Sequence, residues 1–151
     1  MERERRGADN AHMRGRLRNA TLLAVAGLAL APAADGWAAR NVELLRGNVR
    51  AVGHDASGRA AVVLTGGRRV LTLRGLRIDP GPKVRVWLVP RSARGDGQIP
   101  KDYKDLGALK GNKGNQQYAI PAGIDLRRYR SVIFWCVPFT QTLARANLVR
   151  S

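Results

Sequence analysis

Cys136 carries the most reactive side chain of this sequence and is the only cysteine among its 151 residues. A thiol reacts as its thiolate, as a nucleophile or as a metal ligand, and one thiol alone cannot close an intramolecular disulfide. Redox chemistry at Cys136 would therefore need a sulfenic acid, a mixed disulfide or a bond to a metal or haem iron. Free cysteine is also among the most often buried residue types, so a packing role stays open at this point.

The sequence gives little support for a metal site, a hydrolase active site or an adhesion motif. A zinc site needs several nitrogen and sulfur ligands, and beyond residue 39 the chain offers one histidine, His54, beside Cys136. No Ser-His-Asp pattern or nucleophile elbow occurs, and the acidic residues form no recognisable acid–base pair. Arg94-Gly95-Asp96 matches an adhesion tripeptide, but three residues recur by chance. We expect no metal site, and a redox accessory or binding domain rather than a hydrolase or transferase.

Residues 1–39 have the features of an export signal. Arg14, Arg16 and Arg18 precede an apolar run from Ala20 to Ala31, and small residues follow it. Basic residues, an apolar core of about 7–15 residues and a small-x-small site make up a secretory signal peptide. The core is short for a membrane span, which needs about 20 residues. We expect a signal peptide over 1–39, with an uncleaved membrane anchor as the alternative and Met13 as an alternative start, and hence an exported domain, periplasmic or extracellular, over 40–151.

The predicted exported domain is strongly basic. Between Arg40 and Ser151, 21 Arg and Lys residues face 7 Asp and Glu residues, which leaves a net charge of +14. Such a charge attracts anionic partners. The cations are spread along the whole chain with few aromatic residues between them, which argues against nucleic-acid binding. An anionic polymer or lipid surface is the partner that this charge favours.

Beyond residue 40 the sequence predicts strands rather than helices. Short apolar stretches are separated by Gly, Pro, Asn and Asp, a spacing typical of sandwiches and barrels. Gly66-Gly67 predicts a two-residue hairpin turn, and Pro80-Gly81-Pro82 must leave the sheet because proline lacks the ladder donor. We expect an all-β domain, an antiparallel β-sandwich or flattened barrel of about 7–9 short strands, after an N-terminal apolar signal or anchor helix.

The strand that holds Cys136 is the most apolar stretch outside the N-terminal run. In strand geometry Val132, Phe134 and Cys136 share one face, and Ile133 and Trp135 share the other. Pro138 predicts that the strand ends near Cys136, at a rim of the sheet. The same alternation predicts the following core residues: Leu44, Val62, Leu71, Val84, Val86, Leu88, Tyr118, Ile120, Val132, Phe134 and Leu148.

The order of these segments resembles the DM-thirteen domain family, described as an electron-transfer domain. The resemblance runs from about Gly47 to Leu148 and includes the turn at 54–60 and the strand at 83–88. Its most specific parts are the stretches Asp105-Leu106-Gly107-Ala108-Leu109-Lys110-Gly111-Asn112-Lys113-Gly114-Asn115-Gln116-Gln117-Tyr118-Ala119-Ile120-Pro121 and Tyr129-Arg130-Ser131-Val132-Ile133-Phe134-Trp135-Cys136-Val137-Pro138-Phe139. In one departure, Trp87 stands where the family commonly has Tyr.

The resemblance implies an exported β-sandwich-like domain, often membrane-associated, whose late strand carries the proposed redox cysteine. In this sequence that cysteine is Cys136. Related multidomain proteins join the domain to cytochrome-type modules, so the resemblance implies electron transfer with a haem protein. Since 151 residues have room for one domain, we expect the haem or redox protein to be a separate membrane or periplasmic molecule.

Two expectations of function follow. The first is an exported, monomeric domain that takes part in electron transfer or thiol redox chemistry through Cys136, with no certain cofactor of its own and haem supplied by a partner. The second is a non-catalytic cell-surface binding module attracted to anionic polymers or lipid. A thiol open to a groove beside a basic side chain favours the first, and a thiol buried among Leu and Val is what packing alone predicts.

Overall fold

The computed structural model describes residues 40–91 and 101–151. The predicted signal or anchor over 1–39 and the tripeptide Arg94-Gly95-Asp96 lie outside the described residues. In the part of the chain that is described, no helix has the length and apolar character needed to cross a membrane.

The described residues form nine antiparallel strands. These are β1 (Val42–Ala51), β2 (Ala56–Thr65), β3 (Arg68–Ile78), β4 (Val84–Pro90), β5 (Lys104–Ala108), β6 (Lys113–Ile120), β7 (Tyr129–Cys136), β8 (Gln141–Asn147) and β9 (Val149–Arg150). Their order in the sheet is β5-β4-β7-β8-β1-β2-β3-β6, and β9 pairs with β1. The all-β prediction and the predicted strand number are confirmed for the described residues.

The sheet curls into a nearly closed barrel. Strand β1 joins its two halves, because the stretch up to Asn48 pairs with β2 and the last residues, from Val49, pair with β8. The edge strands β5 and β6 then approach each other across the remaining gap. There the Tyr118 hydroxyl lies 3.3 Å from the Ala108 carbonyl oxygen and accepts a hydrogen bond from the Lys110 N–H at 3.1 Å.

Strand alternation fills the barrel as the sequence predicts, with one correction. Ten of the eleven predicted core residues are buried, but Leu44 is half-buried. The register of β1 against β2 shifts between Glu43 and Leu45, so Leu44 is the extra residue of a bulge. As a result Leu45 enters the core in its place.

A second buried cluster lies on the outer face of β4 and β7. It consists of Trp87, Val89, Ile133 and Trp135. The alternation correctly separates these residues from Val86 and Phe134 in the barrel core. Their burial was not predicted, because a period of two assigns residues to a face but does not say what covers that face.

Both predicted turns are present. Gly66 and Gly67 have φ angles of 53° and 74°, the left-handed values of a type I′ hairpin, and join β2 directly to β3. Strand β3 ends at Ile78 and β4 begins at Val84, so Pro80 and Pro82 lie outside the ladder.

The antiparallel topology collects four connections at one end of the barrel, which we call the cysteine end. They are residues 52–55, 79–83, 109–112 and 137–140. Backbone hydrogen bonds join them: the Asp79 N–H donates to the Asp55 carbonyl oxygen and the Ile78 N–H to that of Asn112, each at 3.0 Å. Cys136 is the last residue of β7 and so reaches this end.

Candidate functional site

Cys136 points into the barrel at the cysteine end. It is 1% exposed and belongs to the main core cluster. Across the ladder its partners are Val84 on β4 and Gln141 on β8. Its thiol donates a hydrogen bond to the Pro82 carbonyl oxygen at 3.3 Å, so the sulfur is both packed and anchored. The prediction that β7 ends near Cys136 is confirmed.

The segment Gly81-Pro82-Lys83 covers the thiol. A β-carbon placed on Gly81 would lie 3.7 Å from Cys136 Sγ and 3.1 Å from both Leu143 Cδ1 and Val84 Cγ2. Glycine is therefore the residue that lets the segment approach this closely. The immediate neighbours of the sulfur are apolar side chains and one backbone carbonyl. In this conformation the thiol is closed off from solvent reagents, which is the arrangement that packing alone predicts.

Two strained residues flank this covered thiol. Lys83, in the covering segment, has a φ of 48°, and Thr140, just before β8, has a φ of 46°. They are the two non-glycine residues with positive φ in the described part of the chain. Such a conformation costs of order 1–3 kcal/mol and persists where the surrounding structure enforces it, often at functional sites. Both connections next to Cys136 therefore store backbone strain.

His54 reaches the same end of the barrel but does not meet the thiol. Its Nε2 lies 3.0 Å from the Gln141 amide nitrogen, and its Nδ1 lies 3.9 Å from Asp79 Oδ2. Asp79 Oδ2 in turn accepts the Asp55 N–H at 3.1 Å. When the Gln141 amide donates, the neutral ring carries its proton on Nδ1, toward the carboxylate. The imidazole is thus part of an exposed polar chain above the site.

The surroundings of Cys136 do not fit a metal ion or a haem group within this domain. Among the described residues, no group of three or more His, Cys, Asp and Glu side chains is placed to hold a metal. Cysteine and histidine are common axial ligands of haem iron, but the sulfur faces the packed segment at Gly81 and the imidazole points to Gln141. Neither side chain is therefore placed to ligate a haem iron.

Cations crowd the outer face of β2, β3 and β6. Arg59 lies opposite Arg74, and Arg77 lies opposite Lys113. Arg59 has an ion pair with Glu43 at 3.2 Å. Like charges directly opposite each other destabilise a sheet. Arg77 and Lys113 therefore keep an electrostatic cost on this face, whereas Glu43 offsets part of the repulsion between Arg59 and Arg74.

At the opposite end of the barrel, one carboxylate pairs with two cations. Asp102 accepts a hydrogen bond from the Tyr129 hydroxyl and pairs with Arg128 and with Lys104. The Tyr129 hydrogen bond and, after it, the two cations lower the pKa of the Asp102 carboxyl below its usual value. Among the described residues, this end holds no candidate reactive group.

The sequence analysis singled out Cys136 and His54 but did not predict the residues that contact their side chains. Pro82 covers the thiol, and Gln141 holds the imidazole. The sequence pattern predicted a turn at Pro80-Gly81-Pro82 but not what it covers. A contact between residues 87 apart, such as His54 and Gln141, leaves no periodic signal.

Comparison with protein families gives one match, and it covers the barrel. The family model of electron transfer DM13, the DM-thirteen family, matches residues 48–148, which include every strand from β2 to β8 and Cys136. Comparison with curated proteins and with solved structures gave no match. Since the matched stretch exceeds half of the chain, the protein belongs to the electron transfer DM13 family.

Proposed function

We propose that this protein is an exported electron-transfer protein whose redox-active group is the Cys136 thiol and whose partner is a separate haem protein. The observation that carries the proposal is the position of Cys136. The single cysteine of the matched family region lies at one end of the barrel, under a strained segment. Family membership supports the electron-transfer role, and the thiol is the one redox-active sulfur among the described residues.

Burial of the thiol favours electron transfer over thiol–disulfide exchange. Exchange requires a thiolate to attack a partner's sulfur directly, and Cys136 is 1% exposed beneath Gly81-Pro82-Lys83. Outer-sphere electron transfer needs no such contact. In the proposed step a ferric haem iron gains one electron and becomes ferrous, and the thiol loses one electron and releases its proton to water. Return of one electron and one proton restores the thiol.

The strained cover supplies a route for the proton. Lys83 and Thr140 both hold left-handed conformations beside the thiol. Release of that strain offsets part of the cost of lifting Gly81-Pro82-Lys83 from the barrel end. Water then reaches the sulfur for as long as the segment is displaced, and the core below it stays packed.

Export from the cytoplasm is part of the same proposal. Strand β1 begins at Val42, so cleavage near residue 39 takes nothing from the described barrel. Expression of the full chain in a bacterium with a periplasm, followed by fractionation and intact mass, tests this part. We expect a periplasmic product that starts near Ala39 or Arg40, and a full-length cytoplasmic product would contradict it.

The proposal is tested with the full chain and a graded series of one-electron oxidants, from ferric cytochrome c to hexachloroiridate(IV), in the absence of oxygen. We expect the wild-type chain to donate electrons that Cys136→Ala does not donate, measured from the absorbance of each oxidant. Thiol titration in urea before and after checks that oxidation consumed the thiol. Equal electron yields from the two chains at every oxidant would overturn the role of Cys136.

The cationic outer face supports a second candidate, a binding module for anionic polymers or lipid. Arg74 lines a surface groove with Lys110, and Arg77 lines a second depression with Lys113, whose lining also includes Asp55 and Asp79. No carboxylate among the described residues pairs with any of these four side chains. The test is retention on dextran sulfate and on anionic against zwitterionic lipid vesicles as salt rises. We expect binding that weakens with salt and is equal for wild type and Cys136→Ala; salt-independent or absent retention would exclude this candidate.

A further inference from the structure

Three aromatic rings form a continuous stack on the outer face of β4 and β7. The ring centroids of Tyr103 and Trp87 are 3.9 Å apart with 17° between planes, and those of Trp87 and Trp135 are 5.1 Å apart with 16° between planes. Exposure falls along the stack, from 38% at Tyr103 to 5% at Trp87 and 1% at Trp135. The rings therefore connect the protein surface to the strand of Cys136, whose neighbour in sequence is Trp135.

We propose that Tyr103, Trp87 and Trp135 form a one-electron relay between strand β7 and the surface. Tryptophan and tyrosine are, with cysteine, the side chains that lose one electron most readily. Rings in van der Waals contact and nearly parallel couple their π systems. The biological purpose of this relay rests on the proposed electron-transfer role. Its electron transfer steps involve only the three aromatic residues and do not require Cys136.

The relay step moves electrons without forming or breaking a carbon bond. A strong one-electron oxidant, such as hexachloroiridate(IV), takes one electron from a tryptophan of the stack, becomes hexachloroiridate(III) and leaves an indole radical cation. Tyr103 then returns one electron to Trp87 and releases its phenolic proton to water, which leaves a neutral tyrosyl radical at the surface. A one-electron reductant in solution restores Tyr103 by supplying one electron, while water supplies the proton.

The environment of Trp87 is suited to the middle position. Its indole Nε1 is buried and has no hydrogen-bond partner among the described residues. A buried N–H without an acceptor is energetically unfavourable, so packing alone gives no reason for it. An indole radical cation becomes trapped when a nearby base removes this proton. With no acceptor at Nε1 the oxidised ring keeps its proton, and the next electron transfer stays fast and reversible.

The two ends of the stack differ in a way that gives the relay a direction. Trp135 is enclosed, and Trp87 has no proton acceptor among the described residues, whereas Tyr103 is exposed to the water that accepts a phenolic proton. An oxidising equivalent that arises near β7 therefore ends on Tyr103. There a soluble donor can remove it before it damages the barrel core.

The test is laser photoionisation of tryptophan in the full-length Trp37→Phe chain, since Trp37 lies outside the described residues. We expect the tryptophan radical absorbance to decay into a tyrosyl radical, recorded by transient absorption and by electron paramagnetic resonance of freeze-trapped samples. Tyr103→Phe should abolish the tyrosyl signal and lengthen the tryptophan radical lifetime. Tyr118→Phe, a tyrosine outside the stack, is the matched control and should keep the conversion.

Trp87→Phe tests the middle position of the stack. The substitution removes the indole that lies between Tyr103 and Trp135. We expect loss of the tyrosyl signal in this variant too, with thermal unfolding confirming that it folds. If Trp87→Phe does not fold, the Tyr103→Phe variant still tests the relay, because Tyr103 is half-exposed and its substitution leaves the core intact. A tyrosyl signal that survives Tyr103→Phe would overturn the relay. If the tryptophan radical still decays into a tyrosyl radical but Cys136 donates no electrons to the oxidants, only the role of Cys136 is refuted. If Cys136 donates electrons but no tyrosyl radical forms, only the relay is refuted.

Discussion

The Cys136 thiol donates a hydrogen bond to the carbonyl oxygen of Pro82, a residue 54 positions earlier in the chain. This contact links the end of β7 to the connection between β3 and β4 and holds Gly81-Pro82-Lys83 over the sulfur. We therefore expect the reactivity of the thiol to depend on how often that segment lifts. Two substitutions in the segment change that frequency in opposite directions.

Gly81→Ala should make the thiol more reactive. The added methyl group would lie 3.1 Å from Leu143 Cδ1 and Val84 Cγ2, so the segment or its neighbours must shift. Overpacking of this kind costs about 1–3 kcal/mol, and about 1 kcal/mol raises an open population about fivefold. The measurement is the rate of labelling of the native chain by a thiol reagent. Gly53→Ala is the control, because its methyl group meets nothing within 4 Å; equal rates for both variants would contradict the role of the segment.

Lys83→Gly should make the closed state more stable than Lys83→Ala does. Both variants remove the same charge, but only glycine adopts the φ of 48° without steric strain. A left-handed residue with a β-carbon costs about 1–2 kcal/mol. We therefore expect slower thiol labelling and a higher unfolding midpoint in urea for the glycine variant. If the alanine variant is the more stable of the two, the strain at Lys83 plays no part in the cover.

The sequence predicted the strands and their inward faces because local signals specify both. Alternation placed Val84, Val86 and Phe134 in the core, and the glycine pair at 66–67 marked a hairpin. The bulge at Leu44 was missed because a register shift depends on how two strands pair and not on either strand alone. Features set by strand period and turn chemistry are therefore predictable from the sequence, whereas features set by strand pairing are not.

The candidate site was predictable only as a residue, not as an arrangement. Cys136 stood out as the single cysteine, whereas its burial under Pro82 depends on a contact between distant segments. The aromatic stack was missed for the same reason. Alternation placed Trp135 on the face opposite Phe134, but Tyr103 reaches the two tryptophans from the connection before β5, where no periodicity applies.

Gly47→Ala should strongly destabilise the barrel. A β-carbon at Gly47 would clash with the Asn147 carbonyl oxygen, which is backbone and cannot rotate away. The residue sits where β1 passes from β2 toward β8, so relief of the clash must displace β1 or the end of β8. We expect a loss of about 1–3 kcal/mol or more in the free energy of unfolding, measured by urea denaturation. Gly111→Ala, whose methyl group has its nearest neighbour at 3.9 Å, should stay near wild type.

Asp102 should give the protein a stability component that acid removes. Its pKa is lowered from 3.8, first by the Tyr129 hydrogen bond and then by Arg128 and Lys104. A depressed folded-state pKa contributes stability that is present above 3.8 and is lost as the pH falls through the lower folded-state value. Urea midpoints between about pH 5 and about pH 2 should therefore fall less steeply for Asp102→Asn than for wild type. Tyr129→Phe removes the largest cause of the lowered Asp102 pKa and should also make the urea midpoint less dependent on pH in this range. Parallel pH profiles for wild type and both variants would show that Asp102 is not the source of the acid sensitivity.

Arg77→Glu should stabilise the barrel while weakening any attraction to anions. Arg77 lies directly opposite Lys113 on β6, so the substitution converts a repulsive cross-strand pair into an attractive one, worth about 0.2–1 kcal/mol. Arg68→Glu changes the net charge equally but faces Thr65, so it should leave the unfolding midpoint nearer to that of wild type. The double variant Arg77→Glu with Lys113→Glu restores like charges and should lose the gain, which isolates the pair from the change in net charge. On dextran sulfate, Arg77→Glu should elute at lower salt than Arg68→Glu if the outer face of β3 and β6 binds the polymer, whereas equal elution would assign retention to net charge alone.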